Sequence, residues 1–164
     1  AEGNVMGLRR GSGPAGGPLV VVSAHLDTVF PAGTDVAVRR EGTRLMAPGV
    51  GDDTRSLAAI LAFIRAMDAA GVVTEKDILF LGTVGEEGQG DLRGVRYFFT
   101  KGAYRDRVSA FFSFDGSDPS RVVTGAVGSK RYRTFFRGPG GHSYGAFGLV
   151  NPMAAMARQF AQQA

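Results

Sequence analysis

Four short stretches of the chain place carboxylates or an imidazole directly beside apolar runs. The first is His25-Leu26-Asp27, which ends the run from Pro18. Residues two apart on a strand share a side, so the Asp27 carboxylate is placed to hydrogen-bond the His25 imidazole. Such a partner fixes the tautomer of a metal-ligating histidine and raises its basicity. The second stretch, Gly49-Val50-Gly51-Asp52-Asp53, opens a helical pattern. A helix cap accounts for Asp53, because Asp suits the first turn and the helix dipole. Asp52, one residue further out, stands open between a cap and a carboxylate bridging two cations. The third, Gly85-Glu86-Glu87-Gly88, sets adjacent glutamates after an apolar strand, where they repel each other and gain nothing from packing. A dication removes that penalty: one glutamate coordinates it while the other takes a proton from metal-bound water of lowered pKa. A surface turn would also account for the pair. The fourth, Phe114-Asp115-Gly116, would alone be an ordinary strand-ending turn.

Together these ends deliver one histidine and several carboxylates. The chain has no cysteine, so there is no thiolate nucleophile, and any metal site is built from His, Asp and Glu. That donor set suits zinc, cobalt or manganese.

The elements that must position these residues read as an α/β pattern. Residues 18–25 and 77–84 are continuous apolar runs, as expected of strands buried on both faces. Two short alternating runs around Glu41-Gly42 suggest a hairpin. From residue 53 to 70, Leu57, Ile60, Leu61, Ile64 and Met67 share one helical face, and Gly71 supplies the stop. A helix over about 92–99 and a strand over 110–114 follow. Strands alternating with helices indicate a layered domain with its sites beyond the carboxyl ends of the strands. After Asp118-Pro119 the character changes. Residues 121–127 and 130–137 read as strands, followed by a glycine-rich loop over 138–148 and a helix from about Pro152. The expectation is a catalytic domain over 1–119 and the start of a smaller α+β domain over 120–164, both incomplete.

Composition narrows the function classes. Apolar residues at 44% and charged residues at 21% are ordinary for a globular protein. No apolar run approaches the roughly 20 residues that cross a bilayer, and no basic-then-apolar signal segment opens the chain. No membrane partner and a cytoplasmic setting are therefore expected. The net charge of +4 raises the question of nucleic acid. Its densest basic stretch, Lys130, Arg131, Arg133 and Arg137, alternates with Tyr132, Thr134, Phe135 and Phe136 as a solvated strand face does, so no nucleic-acid partner is expected.

His25-Leu-Asp27, Gly51-Asp52-Asp53, Glu86-Glu87 and Phe114-Asp115-Gly116 resemble, in order and compatible spacing, the motifs of the co-catalytic metallopeptidase family that includes carboxypeptidase G, peptidase T and aminoacylase. Gly138-Pro-Gly-Gly-His142-Ser143 follows where that family places its lid-domain loop. The resemblance implies a three-layer, zinc-peptidase-like mixed sheet with helices on both faces, and a smaller lid domain through which two copies pair. It implies two divalent cations, zinc foremost. Asp52 would bridge them, His25 and Asp115 would serve one, and Glu87 the other. Glu86 would be the general base, Asp27 would orient His25, and His142 would steady the oxyanion. The implied reaction is hydrolysis of an amide bond in a small peptide or N-acyl amino acid by metal-activated water.

Two departures stand out. Ser56 occupies a position where the family commonly has glycine, which a helix interior tolerates. The family's last histidine ligand lies near its C-terminus, and this chain has only His25 and His142. The expectation is thus a fragment cut off before its last ligand and inactive alone. The related aminopeptidases without an inserted lid are disfavoured by the loop over 138–143, and serine hydrolysis by the lack of a nucleophile elbow. The alternative from a different class is a non-catalytic binding or dimerisation module that kept the fold.

Overall fold

The computed structural model describes residues 3–116, 118 and 120–162. Two compact units divide the chain, residues 1–121 and 122–164.

The first unit is built on a four-stranded mixed sheet of order β1-β5-β2-β6, from β1 (Val5–Arg9), β2 (Leu19–His25), β5 (Asp77–Thr83) and β6 (Val108–Ser113). A separate hairpin joins β3 (Arg39–Glu41) to β4 (Arg44–Met46). β2 is parallel to both neighbours, and β1 runs antiparallel along β5. Sequence patterning missed β1, because Val5-Met6-Gly7-Leu8-Arg9 neither alternates nor forms a long apolar run, and Val5 and Met6 stay exposed. Pairing with β5, rather than burial, holds it.

Side chains alternate across β2 and β5, and each face packs its own helix. Val22, Ala24, Ile78 and Phe80 meet Ile60 and Met67 of α1 (Arg55–Ala69). Leu19, Val21, Leu79 and Leu81 meet Phe98 of α2 (Arg93–Lys101). Leu61, read as part of the buried stripe of α1, instead stands 56% exposed. Leu57, Ile60, Ile64 and Met67 pack in the cluster on the sheet, and Phe63 sets its ring edge-to-face on Phe80 of β5. α1 stops as expected at Gly71, whose φ of 59° lets Val72 N–H reach the Met67 carbonyl at 2.9 Å and its own N–H reach Asp68.

Three parallel strands put their carboxyl ends on one rim. His25 lies opposite Thr83, and Ser23 opposite Ser113. The amino-end rim is tied by Asp77, which accepts from Arg107 Nη2 at 2.6 Å, Arg10 Nη1 at 3.1 Å and Gly11 N–H at 2.9 Å. Arg107 Nε also donates to the Gly17 carbonyl at 2.8 Å.

In the second unit α3 (Pro152–Ala161) begins as expected, with Pro152 in the first turn and the Asn151 side chain accepting from Met153 N–H at 2.9 Å. The strands expected over 121–127 and 130–137 are not formed. Alternation supplies a face but not a partner, and an extended segment becomes a strand only when its backbone groups pair. Among the described residues these two runs form no strand ladder with each other or with another segment. The period of two survives, since Tyr132, Thr134 and Phe136 line one pocket with Met156 and Phe160 of α3. Among the described residues, no helix is long and apolar enough to cross a membrane.

Candidate metal centre

The carboxyl-end rim gathers the residues singled out in the first unit. His25, at the end of β2, is 3% exposed. Its Nδ1 lies 2.8 Å from the Asp27 main-chain carbonyl and its Nε2 2.8 Å from Asp52 Oδ1. With Nδ1–H given to a carbonyl, the neutral ring keeps its lone pair on Nε2, the atom facing the carboxylates. Nε2 is also 3.9 Å from Asp53 Oδ2 and 4.0 Å from Glu86 Oε2. Burial pulls the imidazole pKa down. The Asp27 and Asp52 hydrogen bonds and the charges of Asp53 and Glu86 outweigh it, so the net shift is above the ordinary value.

Asp52 and Asp53 sit in an irregular turn, Val50–Thr54, ahead of α1, and the peptide bond between them is cis. Asp53 does not cap the helix, contrary to the sequence expectation; no side-chain capping bond is made there. It is 1% exposed, its Oδ2 accepts the main-chain N–H of His25 at 3.0 Å, and its Oδ1 has no hydrogen-bond partner among the described residues. The turn departs from helical dihedrals at Asp52 and Asp53, which turns the carboxylates off the helix end. Burial raises the Asp53 pKa against the pull of the Ser56 hydroxyl and the His25 amide and charge. The signal available in the sequence was the doubled aspartate itself, of which a cap or a bridge needs only one.

Asp27 also differs from expectation. Its carboxylate stands 3.9 Å from His25 Nδ1, beyond hydrogen-bond range. It accepts instead from the main-chain N–H groups of Glu86 at 3.2 Å and Glu87 at 3.0 Å. Burial would raise its pKa, but these amide bonds hold it below the usual carboxylate range. The imidazole is held by the Asp27 backbone, because the chain turns after β2 and brings the carbonyl closer than the side chain.

Glu86 and Glu87 are partly buried in a loop that folds back on itself. Gly90 N–H reaches the Glu87 carbonyl and Gly94 N–H the Val84 carbonyl, each at 2.9 Å. A side chain at Gly94 would collide with the Val84 backbone and Asn4, so close approach requires glycine there. Glu86 is pushed above the ordinary glutamate value by burial. The His25 charge opposes the shift, and Asp115, Glu87 and Asp27 add to it. Asp115, just past β6, is exposed and accepts from the Gly116 N–H.

Two groups of donor atoms result, each with all atoms within 4.8 Å of one another: His25, Asp52, Asp53 and Asp115, and His25, Glu86 and Glu87. They share His25. A compact, cysteine-free donor set with a buried, unpartnered carboxylate oxygen fits a hard or borderline divalent cation. His142 lies in the second unit, where its Nδ1 accepts from Tyr144 N–H at 3.3 Å and Gly145 N–H at 3.4 Å. The proton of the neutral ring is therefore on Nε2, the opposite tautomer from His25.

The family model described as peptidase family M20/M25/M40 matches residues 21–163. No curated protein matches the chain.

Proposed function

The chain belongs to peptidase family M20/M25/M40, and on that premise we propose that it carries the metal-binding core of an enzyme that hydrolyses an amide bond in a small peptide or N-acyl amino acid at a site for two divalent cations, zinc foremost. The observation that carries this reading is the convergence of His25, Asp52, Asp53, Asp115, Glu86 and Glu87 in two donor groups sharing His25. In the reading, Asp52, His25, Asp115 and Glu87 would hold the cations, with Asp52 shared, His25 and Asp115 on one side and Glu87 on the other.

When bound, the cations lower the pKa of the attacking water and polarise the amide carbonyl. Glu86 takes the water's proton and later returns it to the leaving amine. Its raised pKa supports this, because a base nearer neutrality also makes a competent acid. His25 presents the Nε2 lone pair, with Nδ1–H held by the Asp27 carbonyl. His142 offers Nε2–H to the oxyanion, as its engaged Nδ1 allows. The three-layer catalytic domain over 1–119, and the lid over 120–164 through which two copies pair, belong to the same reading.

Zinc titration by calorimetry and native mass spectrometry tests it. Saturable uptake is expected, weakened by Asp52→Asn and kept by Glu86→Gln. A chain that takes up no divalent ion in excess would instead be a non-catalytic module. In the active enzyme, Glu86→Gln is expected to lower kcat by about a hundredfold to ten-thousandfold; unchanged turnover removes Glu86 as the base.

A further inference from the structure

We propose that Asp27 is the positioning residue of the glutamate pair: its carboxylate holds the Glu86 and Glu87 main chain in place, while its carbonyl, not its carboxylate, meets Nδ1 of the His25 imidazole. The functional consequence rests on the amide-hydrolase reading; the geometry does not.

β5 ends its ladder at Thr83; past it the Val84 N–H donates to Asn4 Oδ1 at 3.2 Å, and among the described residues the Glu86 and Glu87 amides join no strand. Glu86 and Glu87 carry like charges on adjacent residues, and repulsion between them favours opening the turn. Asp27 supplies an acceptor that both amides share, one oxygen to each: Oδ1 to Glu86 N–H at 3.2 Å and Oδ2 to Glu87 N–H at 3.0 Å. Consecutive N–H groups converging on one anion form a concave nest. Gly85, with φ of 72°, bends the backbone just before it, a conformation that suits glycine. Asp27 is itself negative, so the amide dipoles and not charge attraction hold it among the glutamates.

The two functions of Asp27 are separate in space. The carbonyl oxygen is 2.8 Å from His25 Nδ1, and the nearer carboxylate oxygen is 3.9 Å from it. One residue thereby couples the end of β2 to the turn after β5 and keeps histidine and glutamates in register. Removing the side chain leaves the imidazole's partner in place and releases the turn. An asparagine presents one oxygen and one NH2, so it keeps at most one of the two amide bonds.

The test is nuclear magnetic resonance on the metal-free chain, with zinc affinity measured in parallel. In the wild type, couplings across hydrogen bonds are expected from the Glu86 and Glu87 amide nitrogens to the Asp27 carboxylate carbon. In Asp27→Asn and then Asp27→Ala, these two amides are expected to shift upfield and lose exchange protection stepwise. The His25 Nδ1–H signal is expected to persist, and zinc affinity to fall about tenfold to a hundredfold. If the couplings are absent, or Asp27→Asn disturbs the His25 ring nitrogens while leaving both amides unmoved, the proposal is overturned. The wild-type couplings decide the geometry even if a variant fails to fold. A wild type that binds no zinc would sink the hydrolase reading and leave the amide result standing.

Discussion

The buried carboxylate of Asp53 accepts the main-chain N–H of His25 at 3.0 Å, so the turn that carries Asp52 is tied to the strand end that carries the imidazole. Removing the acceptor strands a buried N–H, which costs about 1–3 kcal/mol. Asp53→Ala is expected to lose that much stability in urea unfolding. Asp53→Asn keeps an oxygen for the same N–H and removes a buried charge, so it is expected to lose less. Equal losses would mean that the bond to His25 is not what Asp53 contributes.

Zinc uptake is expected to weaken as the medium is acidified. A ligating imidazole must be neutral, and in the metal-free chain the His25 pKa lies above its ordinary 6.5. Below that raised value the proton competes with the metal; above it the competition fades. Calorimetry in buffers of differing ionisation enthalpy should register proton release near neutral pH. Uptake without release would show that His25 is not a ligand.

The two glutamates are expected to separate experimentally. Glu87→Gln removes a ligand charge, and zinc affinity should fall at least about tenfold. Glu86→Gln should bind zinc about as well as the parent. An exchange of these phenotypes would reverse the assigned roles.

Acid is expected to loosen the far rim of the sheet through Asp77. The Gly11 amide and the Arg107 guanidinium hold its carboxyl below the ordinary 3.8, with Arg10 adding to the effect. A depressed folded-state pKa gives stability that is present above the unfolded value and lost as pH falls through the folded one. The loss therefore belongs below about pH 4. Asp77→Asn should be less stable at neutral pH and show a shallower decline in acid; parallel acid profiles for the two proteins would refute the assignment.

Gly94→Ala is expected to destabilise the chain by about 1–3 kcal/mol, as overpacking does. The added methyl meets the Val84 backbone, which cannot swing aside as a flexible side chain would. Exchange protection should drop first at the start of α2 and in the loop around Glu86. A neutral substitution would show that α2 is not docked so closely on the end of β5.

Much of this molecule was legible as local pattern. The apolar runs of β2 and β5, the stripe of α1 with its Gly71 stop, and Asn151 with Pro152 opening α3 each depend on neighbours in the chain. So does the placing of His25, Asp52, Glu86, Glu87 and Asp115 at element ends. Pairing was not legible. β1 exists because β5 offers an edge, and the alternating run over 130–137 is not a strand because, among the described residues, it joins no sheet.

At the candidate site the same division holds, atom by atom. Residue types and their order were enough to point to the family and to the candidate donors that come to the rim. It took the folded backbone to bury Asp53 against His25 rather than at the cap of α1, and to bring the Asp27 carbonyl to the imidazole and its carboxylate to the glutamates. Residue type and spacing limit which hydrogen bonds can form. The folded backbone chooses among them, because a difference of about 1 Å between two acceptors decides which one a donor meets.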